Sequence, residues 1–197
     1  METKEIKHIG NLSIRSIDGA ESRTIVGCAV KFDSLSQDLG YYEEIKNGAI
    51  TEDTIKNSDI FALFNHDDDK VLARSRYGEG SLKLELRNDG LYYEFEAPKT
   101  AAGDELIEHI KRGEITSSSF AFTVAEEGGD RWYKTSDGEL HRDILIIDRL
   151  YDVSPVYEPA YLSTSCSKRA KEMIEKNDVI CAKMDAMMAE METFLIK

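Results

Sequence analysis

Three polar residues in separate segments have the types that nucleophilic catalysis needs. Ser119 ends a serine cluster in ITSSSFAFTV, His66 lies in FNHD, and Asp152 lies in LYDVSPV. A serine hydroxyl is a weak nucleophile at neutral pH and needs a base within hydrogen-bond reach. Histidine suits that role because its ordinary pKa is near neutrality, and a carboxylate can orient its ring. These residue types suggest a serine hydrolase.

The serine cluster begins a segment with strand-like alternation. Its two faces are Phe120, Phe122 and Val124 on one side, and Ser117, Ser119, Ala121 and Thr123 on the other. If the aromatic face enters the core, Ser119 points away from it, beside the small Ala121. Ser118 then falls on the aromatic side, whereas Ser117 stays an alternative nucleophile.

The base and the acid each have alternatives. His109 belongs to a predicted amphipathic helix, His141 to a polar segment, and His8 to a terminus that we expect to be frayed. Leu150, Asp152 and Ser154 are predicted to share one strand face. A carboxylate among apolar strand residues is costly to bury unless it is paired, either with a histidine or with Arg149.

An acidic run, residues 67–69, follows His66 directly. Metal binding there is conceivable, but the run lacks the glycine and the distal glutamate of a calcium loop. We interpret it as a solvated turn and predict no metal and no cofactor.

The remaining pattern predicts an α+β fold that is mainly β. Strands are predicted at 11–17, 23–32, 59–64, 81–97 (a hairpin), 114–125 and 144–157, and helices at 47–57 and 100–113. Residues 126–142 are either a hairpin or a mobile loop. Many strands with two short helices indicate a partly closed β-barrel of about seven strands, with helices packed outside it.

The C-terminal segment has a different pattern. Seven residues recur at steps of four and three, namely Met173, Asn177, Ile180, Met184, Met187, Met191 and Phe194. This spacing predicts an amphipathic helix, which either packs on its own domain or docks on a partner as a coiled coil. We therefore divide the chain into a domain at 1–162 and a helical tail at 163–197.

Charge and composition exclude several classes of function. The net charge is −13, so phosphate backbones are unfavourable ligands and no nucleic-acid partner is expected. No apolar run is long enough to span a bilayer, and the first residues lack the apolar core of a secretory signal. Cys28, Cys166 and Cys181 fit free thiols in a reducing compartment. These features predict a soluble intracellular protein.

An ordered set of motifs resembles the prohead (procapsid maturation) proteases of tailed bacteriophages over roughly residues 10–165. The motifs are GCAVKF (27–32), YYEEIKNGAI (41–50), FNHD (64–67), an apolar-rich hairpin, a helix ending in Arg-Gly (112–113), SFAF (119–122) and VSPVYEPAY (153–161). The resemblance implies that Ser119 is the nucleophile, His66 the general base and Asp152 the acid that orients the histidine. Many relatives carry glutamate at the acid position. The candidate oxyanion donors are backbone amides or an arginine such as Arg142 or Arg149.

The same resemblance implies a function. The family is similar in fold to the herpesvirus capsid maturation proteases, a β-barrel surrounded by helices. It implies a serine endopeptidase that cleaves the scaffolding segment of the major capsid protein, and itself, inside the assembling procapsid in the bacterial cytoplasm. A homodimer is suggested by the comparison. The alternatives are a catalytically silent assembly factor that binds capsid subunits and a hydrolase of small esters.

Overall fold

The structure, a computed structural model, describes residues 5–14 (backbone only), 22–36 and 38–157. The predicted tail at 163–197, the domain boundary at 162, Cys166 and Cys181 lie outside these residues.

The described residues form twelve strands and two helices. The strands are β1 (Glu5–Ile14), β2 (Thr24–Lys31), β3 (Tyr42–Ile45), β4 (Asp59–Phe64), β5 (Asp67–Arg76), β6 (Glu79–Gly80), β7 (Lys83–Arg87), β8 (Gly90–Glu96), β9 (Ser117–Val124), β10 (Asp130–Lys134), β11 (Leu140–Ile144) and β12 (Ile147–Val156). The helices are α1 (Glu52–Lys56) and α2 (Ala101–Lys111). No helix among the described residues is long and apolar enough to cross a membrane.

The strands belong to two sheets. The large sheet has the order β6-β5-β4-β12-β9-β1-β2-β8-β7, and the small one has the order β10-β11-β3. The mainly β prediction is therefore confirmed. Strands β6 and β7 are the two edges of the large sheet, so the strands that the structure describes form no closed barrel, and they outnumber the predicted seven.

Several predicted elements are confirmed, and others are corrected. Residues 126–142 contain a hairpin made by β10 and the start of β11, while β3 and β5 were not predicted. The acidic run at 67–69 begins β5 as an exposed strand rather than a turn. Helix α1 is shorter than the helix predicted at 47–57 and follows the cap residue Thr51, whose side chain accepts from the Thr54 N–H. His8 is not in a frayed end, because its backbone is paired opposite Ser119.

The core lies against the aromatic face of β9. Phe120 and Phe122 are fully buried and stack with their ring centroids 4.9 Å apart. Leu106 and Ile107 of α2 are buried in the same cluster. Cys28 is also buried, as a free thiol, and burial raises its pKa. The burial of these apolar side chains stabilises the sheet that carries the site.

A tyrosine crosses the core to the strand that carries the serine cluster. Tyr93 is paired directly opposite Gly27, and its ring covers this glycine because there is no side chain to displace it. The Tyr93 hydroxyl lies 2.8 Å from Ser118 Oγ, and both side chains are buried. Strands β8 and β9 are three positions apart in the sheet, about 14 Å if it were flat. The bond therefore requires a strongly curled sheet.

We expect Gly27→Ala to lower the free energy of unfolding by about 1–3 kcal/mol, the usual cost of overpacking a filled core. An added Cβ would lie 2.4 Å from Cζ of Tyr93, so the ring would have to move away from Ser118. Chemical denaturation measures the change, with the exposed Glu126→Ala as a control that shifts stability by less than about 0.5 kcal/mol. Equal stabilities of the two variants would contradict the packing of this ring.

Candidate active site

Three neighbouring strands, β4, β12 and β9, carry the residues of the site. Strand β12 pairs with both of the others, antiparallel to β9 and parallel to β4. In the β9–β12 register, Ser119 lies opposite Ser154 and Ala121 lies opposite Asp152. Directly paired residues project from the same face of a sheet, so Ser119 and Asp152 share one face although 33 positions separate them in the chain.

A β-bulge in β12 puts Asp152 on that face. Leu150 pairs with Phe122, Asp152 pairs with Ala121, and Tyr151 is the extra residue between them. Leu150 therefore faces the aromatic core, where it is buried, while Asp152 faces Ser119. The prediction that Leu150 and Asp152 share a face is wrong, because one inserted residue reverses the alternation of the strand beyond it.

A two-residue turn between β4 and β5 carries the histidine. Phe64 pairs with Asp67, so Asn65 and His66 are its two central residues, with φ of 55° and 59°. Positive φ at both central positions is typical of type I′ hairpins, and asparagine and histidine tolerate it better than most residues. The Asn65 N–H donates to the Pro155 carbonyl oxygen at 2.9 Å, which attaches the turn to β12.

The histidine ring lies between the serine and the carboxylate. His66 Nε2 is 2.6 Å from Ser119 Oγ, and His66 Nδ1 is 2.6 Å from Asp152 Oδ1. Ser119 and Asp152 are fully buried, whereas 16% of the His66 side chain is exposed. The structure thus brings together all three residues that the sequence predicted for the site.

A family model described as caudovirus prohead serine protease matches residues 10–178. The chain belongs to this family. Membership supports a protease role, and the match extends beyond the domain boundary predicted at residue 162.

The fold is also similar to that of the bacteriophage T4 capsid assembly protease, gp21. The TM-score is 0.52 at 12% sequence identity, and the similarity covers 79% of this chain and 98% of that chain. At this identity the likeness shows the fold alone. No curated protein matches the chain.

In this member of the prohead protease family, two other histidines that were considered as the base, His109 and His141, contact residues outside the site. His109 of α2 lies 2.5 Å from Glu114 and packs against the rings of Phe64 and Tyr157. This contact lowers the pKa of the Glu114 carboxyl. His141 packs between Tyr42 and Tyr133 on the small sheet.

The two arginines considered as oxyanion donors are occupied by carboxylates. Arg142 is buried, with Nη1 3.1 Å from Glu43 and Nε 2.7 Å from Asp130. Arg149 is exposed, and its Nε lies 3.7 Å from Asp148. These contacts give no support to an oxyanion role for either arginine. Among the residues described, no group of three or more histidine, cysteine or acidic side chains is arranged to hold a metal ion.

Sequence reasoning missed the support around Asp152. Ser154 Oγ donates to Asp152 Oδ1 at 2.7 Å and accepts from the Leu63 N–H at 3.2 Å. The sequence offered one signal for this support, because Ser154 follows Asp152 by two positions on the same strand. The bond to Leu63 of β4, however, can be seen only in the folded structure.

We expect Asn65→Ala to lower the free energy of unfolding by about 1–2 kcal/mol, because alanine resists positive φ. Asn65→Gly is the matched variant, since glycine adopts this conformation freely, and it should stay near the native stability. Because Asn65 is exposed, neither change removes a buried side chain. Denaturation curves measure the free energy of unfolding of both variants. Equal losses of stability would show that asparagine does not stabilise this turn through its tolerance of positive φ.

Proposed function

We propose that the chain is a serine endopeptidase with Ser119 as nucleophile, His66 as general base and Asp152 as the acid that orients the histidine. The observation that supports this most strongly is the position of the His66 ring, 2.6 Å from Ser119 Oγ through Nε2 and 2.6 Å from Asp152 Oδ1 through Nδ1. Nucleophile, base and orienting group within hydrogen-bond reach of one another are the geometric signature of this chemistry.

The carboxylate selects the tautomer of the ring. A proton on Nδ1 faces the Asp152 oxygen, which leaves Nε2 unprotonated and able to accept the Ser119 proton. Asp152 then stabilises the imidazolium that forms. Burial of the acid strengthens this effect, because charges interact more strongly in a medium of low dielectric constant.

The reaction follows in two acyl-transfer steps. Ser119 Oγ attacks the peptide carbonyl carbon while its proton moves to His66 Nε2, and the carbonyl oxygen becomes an oxyanion. The His66 proton passes to the leaving amine as the C–N bond breaks, which produces an acyl-enzyme. Water attacks the ester carbonyl with His66 as base, and the serine regains its proton as the acid product leaves.

We infer that the substrates are the scaffolding segment of the phage capsid protein and the chain itself, cleaved inside the assembling procapsid in the bacterial host. Membership of the prohead protease family supports this, as does the fold shared with a capsid assembly protease. The division into a protease domain at 1–162 and a helical tail at 163–197, the partly closed barrel and a homodimer belong to the same proposal.

A fluorophosphonate that carries a fluorophore tests the nucleophile. We expect Ser119 to displace the fluoride and become labelled, and Ser119→Ala to abolish labelling. His66→Ala and Asp152→Asn should slow labelling by about 100-fold or more, as loss of a triad member does in serine proteases. The rate of fluorescence incorporation into the intact chain is the measurement.

Ser117→Ala is the matched control for this experiment, because Ser117 begins the same strand and was the alternative nucleophile. It should be labelled at the native rate. Labelling that survives Ser119→Ala but is lost in Ser117→Ala would show that Ser117, and not Ser119, is the nucleophile.

Coexpression with the major capsid protein of the same phage tests the substrate. We expect a shortened capsid band with the native chain and a full-length band with Ser119→Ala, because cleavage depends on the hydroxyl. Gel electrophoresis and mass spectrometry of the new terminus measure the product. Assembly that depends on the chain without any cleavage would instead support the silent assembly factor.

A further inference from the structure

The hydroxyl of Ser154 joins the strand that leads to His66 to the carboxylate that faces it. Its Oγ lies 2.7 Å from Asp152 Oδ1 and 3.2 Å from the backbone nitrogen of Leu63. Leu63 lies three positions before His66 on the hairpin strand β4. Ser154 is therefore bonded both to the acid and to the strand that positions the base.

The direction of both hydrogen bonds follows from the groups involved. The Leu63 N–H can only donate, and an ionised carboxylate can only accept. The single hydroxyl proton of Ser154 must therefore point at Asp152, while a lone pair of its oxygen receives the N–H. All three groups are buried, so no solvent competes for either bond.

This serine replaces a backbone partner at a gap in the sheet. Strands β4 and β12 pair at Phe61 and Asp152, and further along the Asn65 N–H donates to the Pro155 carbonyl oxygen. Between them, the Leu63 N–H bonds to a side chain instead of to a carbonyl of β12. A buried N–H needs a partner, so Ser154 maintains the strand contact and orients the acid at the same time.

The same carboxylate oxygen meets the histidine. Oδ1 of Asp152 lies 2.7 Å from Ser154 Oγ and 2.6 Å from His66 Nδ1. A second donor on this oxygen restricts rotation of the carboxylate. Without it, the acid has fewer constraints that hold Oδ1 against the imidazole.

We propose that Ser154 is a positioning residue for the reaction, which holds the Asp152 carboxylate and the His66 hairpin in register with each other. This inference rests on the proposed roles of Ser119, His66 and Asp152. Ser154 acts through the carboxylate, and its removal should slow the chemical step without weakening the binding of a reagent.

The test compares Ser154→Ala with Ser154→Thr and with a matched control, Ser58→Ala. Like Ser154, Ser58 is a buried serine whose hydroxyl accepts from a backbone N–H of another segment. For Ser58 the donor is the N–H of Leu150 in β12, at 3.1 Å. Its hydroxyl donates to the Thr54 carbonyl oxygen at 2.6 Å. The control therefore removes a comparable pair of bonds, one accepted from a backbone N–H and one donated to an oxygen, and leaves the carboxylate of Asp152 untouched.

Inactivation of the full chain by the fluorophosphonate gives the maximal rate and the half-saturating concentration separately. We expect Ser154→Ala to lower the maximal rate about ten- to a hundredfold, as loss of a hydrogen bond to a charged group does, with the half-saturating concentration unchanged. Ser154→Thr keeps a hydroxyl and should recover most of the rate. Ser58→Ala should react at the native rate.

Proton NMR supplies a readout that a merely structural role would not move. The Nδ1–H of His66, assigned by its loss in His66→Ala, should shift or broaden in Ser154→Ala and stay in place in Ser58→Ala. A native rate and an unmoved resonance in a folded Ser154→Ala variant would overturn the proposal, as would equal rate losses in Ser154→Ala and Ser58→Ala.

Failure of the proposed site gives a different result. If Ser119→Ala reacts like the native chain, or if the native chain is never labelled, the assignment of the nucleophile is wrong. The Ser154 inference is then judged by the His66 resonance alone, which depends on the Asp152 contact and not on Ser119.

Discussion

The site depends on strand β12 having a partner on each side. Pairing with β9 brings Asp152 beside the strand of Ser119, and pairing with β4 brings in the hairpin that carries His66. Each contact joins segments that are distant in sequence. The entropic cost of closing the loops between them has to be offset by the burial of the core on the opposite face. The stacked Phe120 and Phe122 contribute to that core on the strand that also holds Ser119. The geometry of the proposed site and the stability of the fold therefore depend on the same strand.

Two departures from regular strand geometry aim the side chains of the site. The extra residue Tyr151 moves Asp152 out of the face that Leu150 occupies, and the positive φ values of Asn65 and His66 turn the chain tightly at the histidine. Each costs some backbone stability, which neighbouring contacts must offset. The hydrogen bond from the Asn65 N–H to the Pro155 oxygen is one such contact. The irregularities occur where the proposed chemistry needs a side chain in a direction that an ideal strand does not provide.

The buried serines on the two faces of β9 have different hydrogen-bond partners. On the core face Ser118 meets Tyr93, whose pKa is raised by burial, so that the phenol remains a neutral hydrogen-bonding group. On the other face Ser119, His66 and Asp152 form a chain of close contacts, with Ser154 behind the acid. A buried carboxylate without such partners would destabilise the fold strongly. The polar network is consequently both the proposed reaction site and a condition for burying Asp152.

Much of the site could be predicted from local pattern. The alternation of ITSSSFAFTV separates Ser119 from the aromatic face, and the order of the motifs indicates the family and with it the three site residues. The bulge at Tyr151 could not be predicted, because nothing in LYDVSPV marks the residue that the partner strand leaves unpaired. The support from Ser154 was hidden for a related reason, since its Leu63 partner lies 91 positions away.

The sequence by itself determined which residue types are present, the β-rich pattern and the family resemblance, because these follow from residue identity and short-range periodicity. Only the tertiary structure decided which strands are neighbours, where the register shifts and which face Asp152 occupies. Those features arise from pairing between distant segments, and a shift of one residue reverses every side chain beyond it. The sequence contains the serine, histidine and aspartate that the proposed hydrolysis needs. Whether these side chains contact one another depends on how β4, β12 and β9 align.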